Sequence, residues 1–89
     1  MAGRDIEVMG IEFAVNTEKL SGWHVFNLLK KAKTVTDDYE RVSAVIEIAC
    51  YITELDEAEF IERCGGDDAP VQTVVQVATE LIAAAYPKN

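Results

Sequence analysis

The period of the apolar residues changes once along this chain, and that change sets the architecture open to it. At the start the apolar residues alternate: Ile6, Val8, Ile11, Phe13 and Val15 share one phase, with Glu7 and Glu12 on the other. A period of two marks strands that bury one face. Met9-Gly10 interrupts the alternation, and Gly10 supplies the positive φ of a tight turn. The pattern predicts a β-hairpin of residues 5–9 and 11–15. A lone hairpin is marginal in water, so its apolar face needs something to pack on.

Beyond a polar connector, Asn16 to Gly22, with a short turn around Thr17–Leu20, the period becomes helical. Ser21 is placed to cap a helix over 23–33, whose apolar side carries Val25, Phe26, Leu28, Leu29 and Ala32. Lys30, Lys31 and Lys33 fall in its last turn, where the helix dipole favours cations. Thr36 is the expected cap of a second helix, 37–53. Its apolar set (Tyr39, Val42, Val45, Ile46, Ile48, Ala49, Cys50, Ile52) spans more than half the circumference, which predicts a central position. Asp56 and Glu59 form a capping-box pattern for a short helix, 56–64, stopped by Gly65-Gly66. The last helix, 70–85, carries Val71, Val74, Val75, Ala78, Leu81, Ile82 and Ala85, widened by Val77 and Ala84, and Pro87 ends it. The reading is a single α+β domain, mostly α: an N-terminal β-hairpin and a bundle of about four helices.

Charge narrows the function. With 16 acidic against 8 basic residues the formal net charge is −8. Duplex nucleic acid and anionic membranes are repelled by such a surface, which instead suits solubility or a basic partner. No apolar run reaches the roughly 20 residues of a membrane span. Met1 to Asp5 lacks the apolar stretch of a signal peptide, and Cys50 and Cys64 are too few for a disulfide framework. Both read as reduced, mostly buried thiols, and the location as cytoplasm.

No residue pattern in the chain supports catalysis. His24 is the one histidine and sits on the polar face of its helix, without a second histidine for a metal or a relay. The cysteines lack CxxC spacing, and Ser21 and Ser43 lack a nucleophile-elbow context. Gly65-Gly66-Asp67-Asp68 lacks the alternating oxygen ligands of a calcium loop and reads as a helix stop followed by a start. Neither serine follows Asp or precedes Leu or Ile, which excludes the Asp-Ser-Leu motif of acyl carrier proteins. No catalytic, cofactor or metal residues are expected, and the chain reads as a protein-binding module, not an enzyme.

The order of features carries a resemblance. The turn Gly10-Ile11-Glu12-Phe13 matches a "G-x-x-F" hairpin. Trp23-His24-Val25-Phe26-Asn27-Leu28-Leu29 matches "W-x-x-x-x-L-L", and a short helix ending in Gly65-Gly66 precedes a final amphipathic helix. In these respects the chain resembles the tail assembly chaperones of long-tailed phages and prophages. The resemblance implies a protein that binds the helical, aggregation-prone tape measure protein and keeps it soluble during tail assembly. The tail tube protein is a second candidate partner. It further implies self-association, action in the host cytoplasm and absence from the mature virion. Relatives often make a longer product by frameshifting near the end of the short form, and Lys88-Asn89 permits a slippery codon run, as any such pair does.

Two surfaces are candidates for the client. One is the edge of the last helix, Val74, Val77, Leu81 and Ala84, whose wide arc is either core or a groove for a partner helix. The other is Trp23, which lies off the stripe of its own helix and is either a lid on the hairpin or a contact. The acidic run Glu54, Asp56, Glu57, Glu59 and Glu62 is either a solvated face or a docking surface. The alternative function follows from it: an acidic regulatory module that mimics nucleic acid in a basic site of a host protein, through Asp37, Asp38, Glu54, Glu57 and Glu62.

Overall fold

The structure, a computed structural model, describes residues 3–86. Strands β1 (Gly3–Val8) and β2 (Ile11–Asn16) form an antiparallel hairpin. A 310 turn, Thr17–Ser21, leads to helices α1 (Trp23–Thr34), α2 (Asp38–Thr53), α3 (Glu57–Arg63) and α4 (Val71–Ala85). The fold is α+β and mostly helical, as the change of period requires.

The hairpin register places Ile6 opposite Phe13 and Val8 opposite Ile11. Ile6, Val8, Phe13 and Val15 are buried, while Glu7 and Glu12 face each other on the outer side. Met9 belongs to the turn and not to β1. It and Gly10 both have positive φ, 52° and 82°. Two such residues make the turn whose twist matches that of the paired strands. The hairpin packs within its own chain, β1 against α4 and β2 against α2. Phe13 stacks on Phe60 of α3 with ring centroids 5.5 Å apart, joining hairpin and bundle in one core. Arg63 Nη1 donates to the Glu12 carbonyl at 3.1 Å, and the Arg4 guanidinium donates to the Ala84 carbonyl, one of the free carbonyls at the end of α4.

The helix starts differ in detail from the sequence reading. Ser21 closes the 310 turn, and Gly22 precedes α1 without a side-chain cap. Asp37, not Thr36, caps α2, its Oδ1 accepting the Tyr39 N–H at 2.8 Å. A carboxylate both accepts that bond and meets the positive end of the dipole, which a hydroxyl does not. The capping box of α3 is present: Asp56 accepts from the Glu59 N–H at 2.8 Å, and Glu59 accepts from the Asp56 N–H at 3.2 Å. Gly65 and Gly66, at φ 127° and 86°, end the helix, and the Gly66 N–H returns to the Ile61 carbonyl at 2.9 Å. Pro70 stands just before α4 as its cap residue. Pro87 and Lys88-Asn89 lie outside the described residues.

Helix α2 is central, packing against α1, α4, β2 and α3. Its buried stripe is narrower than its apolar set. Ala44, Ile48, Ala49, Ile52 and Thr53 are buried, but Val42, Val45, Ile46 and Cys50 are only partly covered and Tyr39 is 88% exposed. Among the described residues no further element covers the second side of α2.

Candidate protein-binding surface

Most of the last helix's apolar arc is core. Val74 is buried and Val77 and Leu81 are fully so, because α4 packs on both α2 and β1 and these residues fill the space between them. The expectation of a client groove at Val74, Val77 and Leu81 is therefore corrected: in this fold they present no surface to a partner. Ala84 is exposed, and its own carbonyl accepts from the Arg4 guanidinium.

Trp23 is not a lid on the hairpin. It is 74% exposed and stacks on Phe26, which is 51% exposed, with ring centroids 5.3 Å apart. Residues three apart share a helix face, so the geometry of α1 itself makes this pair. Phe26, Leu29, Lys30, Lys33 and Thr34 continue the same face as a shallow concavity of about 340 Å³. The result is an aromatic ridge with a basic flank. Among the described residues Lys30, Lys31 and Lys33 form no ion pair.

A second apolar surface follows from the uncovered side of α2. Tyr39, Val42, Ile46 and Leu55 line a shallow groove of about 460 Å³ between α2 and the start of α3, with Glu47 and Glu57 on its rim. Tyr39, Val42 and Ile46 belong to the wide apolar set from which the sequence predicts a central α2. Their signal was the excess of apolar positions around α2 over what one helix of a small bundle can bury.

The acidic run is exposed throughout, and much of it is already engaged within the chain. Glu54 meets Lys19 Nζ at 3.2 Å and accepts from Asn16 at 3.3 Å; Asp56 and Glu59 make the capping box. Asp37 caps α2, and Asp38 pairs with Arg41 at 3.2 Å. The hydrogen bond from Asn16, then the hydrogen bond and charge of Lys19, hold the Glu54 carboxyl below the usual glutamate range.

His24 is exposed, its ring tilted against that of Tyr51 with centroids 4.5 Å apart. The Lys19 ammonium lies 4.4 Å from the Tyr51 ring centroid, a cation–π arrangement that braces the 310 turn on α2. Cys50 and Cys64 are free thiols. Burial, with the nearby charges of Glu57 and Asp56, pushes the Cys50 thiol up to about 11, and burial raises Cys64 too. A thiol so shifted is a poor nucleophile at neutral pH. The described residues hold no group of three or more metal-binding side chains, and none of their helices is long and apolar enough to cross a membrane. Compared with known proteins, the chain matches no family model, no curated protein and no solved structure.

Proposed function

We propose that this protein is a tail assembly chaperone, binding apolar helical stretches of a tape measure protein and keeping that client soluble in the host cytoplasm until the tail tube encloses it. The observation that carries the binding half of this reading is the exposed, stacked Trp23–Phe26 pair on α1. Large aromatic rings supply much contact area at little entropy cost and are favoured anchors of protein interfaces. A monomer gains nothing by holding two such rings in water. The resemblance in motif order, with Trp23 inside "W-x-x-x-x-L-L", supplies the identity of the client.

The acidic-mimic alternative has weaker support. Of its five carboxylates, Asp37, Asp38 and Glu54 already hold partners within the chain, leaving Glu57 and Glu62.

The test is co-expression with the tape measure protein encoded beside this gene. The wild type is expected to hold it in the soluble fraction, and Trp23→Ala/Phe26→Ala, folded by circular dichroism, is expected to lose that effect. A gene neighbourhood without tail genes, or a double variant as effective as the wild type, overturns the reading.

A further inference from the structure

We infer that the acidic-rimmed groove between α2 and the start of α3 is a docking site for a basic amphipathic helix of another protein, a site separate from the α1 ridge. The chemistry of the groove fixes the occupant on three counts.

The first is its floor. Tyr39, Val42, Ile46 and Cys50 follow one another along α2 at steps of three and four residues, a strip about 16 Å long at 1.5 Å per residue, with Leu55 beside it. Residues at such steps form the ridges by which helices pack on one another. The side of a helix has no free backbone group to offer. An extended segment laid there would bury unpaired N–H and C=O groups, whereas a helix brings its own already bonded.

The second is its rim. Among the described residues that line the groove, Glu47, Asp56 and Glu57 are acidic and none is basic. Glu47 and Glu57 are exposed and make no ion pair among the described residues. The three charges converge on the floor: after burial itself, Glu57, Asp56 and Glu47 are among the causes that push up the Cys50 thiol. Apolar side chains flanked by Lys or Arg satisfy floor and rim together. The same carboxylates repel the phosphates of nucleic acid and of anionic lipid.

The third is Tyr39. It is 88% exposed, and Asp38 and Glu40 flank it in the sequence. An aromatic face in so acidic a setting seats an ammonium or guanidinium group, which the ring attracts. Tyr51 already holds Lys19 in this way, at 4.4 Å, while Tyr39 has no such partner among the described residues. A basic helix therefore suits the groove on α2 and not the lysine-flanked ridge on α1. The site stands without the chaperone reading.

The probe is a synthetic helical peptide of about 16 residues, with Leu at every third or fourth position and Lys on both flanks. Its twin carries Glu in place of Lys. In fluorescence anisotropy the basic peptide is expected to bind at micromolar concentration, and its twin about tenfold more weakly or less well still. In two-dimensional NMR of the isotope-labelled protein, the basic peptide is expected to shift the amides of Tyr39 to Cys50 and of Leu55 to Glu57, and to leave those of Trp23 and Phe26 in place. Glu47→Lys exchanges one good helix former for another at an exposed position, and circular dichroism checks its fold. It is expected to weaken binding by about tenfold, because like charges then meet at the rim. Trp23→Ala/Phe26→Ala is expected to bind as the wild type does. No binding of the basic peptide up to near-millimolar concentration, a twin that binds equally well, shifts centred on Trp23 and Phe26, or a folded Glu47→Lys protein that binds unchanged overturns the proposal. So do shifts of the groove amides on concentrating the free protein, which give the groove to a second copy. A failed co-expression test of the client alters none of these outcomes, so the two readings fail separately.

Discussion

Trp23 and Phe26 stack at 5.3 Å on the outside of α1, with most of the indole in water. Trp23 is the one tryptophan of the chain, so its emission reports this site alone. The free protein at low concentration is expected to show a solvent-exposed emission maximum and ready quenching by acrylamide. Adding a binding partner of the ridge is expected to shift emission to the blue and protect it. Protected emission from the dilute free protein would contradict an open ridge. Trp23→Ser is expected to change unfolding free energy by no more than about 0.5 kcal/mol in urea titration.

Phe60 presents the opposite case. It is fully buried and stacks on Phe13, the one aromatic contact between α3 and the hairpin among the described residues. Phe60→Ala is expected to cost about 3–5 kcal/mol. Set against the roughly 5–15 kcal/mol of a whole domain, this leaves a protein largely unfolded by mild urea. A small change in the urea midpoint would mean that the hairpin docks without Phe60.

The hairpin turn holds a non-glycine residue, Met9, at φ 52°. The left-handed region costs an ordinary residue about 1–2 kcal/mol, and Asn tolerates it better. Met9→Asn is therefore expected to stabilise the protein by about 1 kcal/mol or less, since Met9 is 51% exposed and has little packing to lose. Thermal unfolding measures it, and a lowered midpoint would show that Met9 packs on something.

The Glu54 carboxyl, held low by Asn16 and Lys19, links folding to pH. A folded value below the unfolded one means that the unfolded chain binds the proton more tightly. The stabilisation is therefore present above the ordinary value of 4.5 and is lost as pH falls through the lower folded value. Glu54→Gln is expected to lower stability above that pH and to flatten the decline on acidification, so that the two proteins converge at low pH. Urea midpoints at a series of pH values compare the two proteins.

Cys50 works in the other direction. Its thiol, at about 11 in the folded chain against 9.0 ordinarily, favours folding below the unfolded value and withdraws that contribution as pH rises toward 11. At about pH 8, near the ordinary range of a free thiol, the native thiol is expected to react with Ellman's reagent far more slowly than in urea. Equal rates would show that the partial cover over Cys50 is not maintained in solution.

Elements whose causes are local are legible in the sequence. The hairpin follows from alternation around Met9-Gly10, the α3 start from Asp56 and Glu59, and its end from Gly65-Gly66, because turns and caps act within a few residues. Where two local candidates compete, the charged one prevails, and Asp37 displaces Thr36 as the α2 cap. A helical wheel shows that α2 and α4 each carry more apolar positions than one packed face requires. It does not show which helix has its excess covered.

That choice belongs to the tertiary structure. The hairpin supplies a buried face that lies on α4 through β1, so Val74, Val77 and Leu81 become core. Among the described residues the far side of α2 meets only the short α3 at its end, so Tyr39 stays exposed and Val42 and Ile46 stay partly open. Phe26 belongs to the apolar side in the sequence pattern and is half exposed in the fold, since α1 packs inward through Val25 and Leu28 and turns Phe26 and Asn27 outward. Periodicity states how much apolar surface a helix has; only the number and placement of its neighbours decide how much of it leaves water.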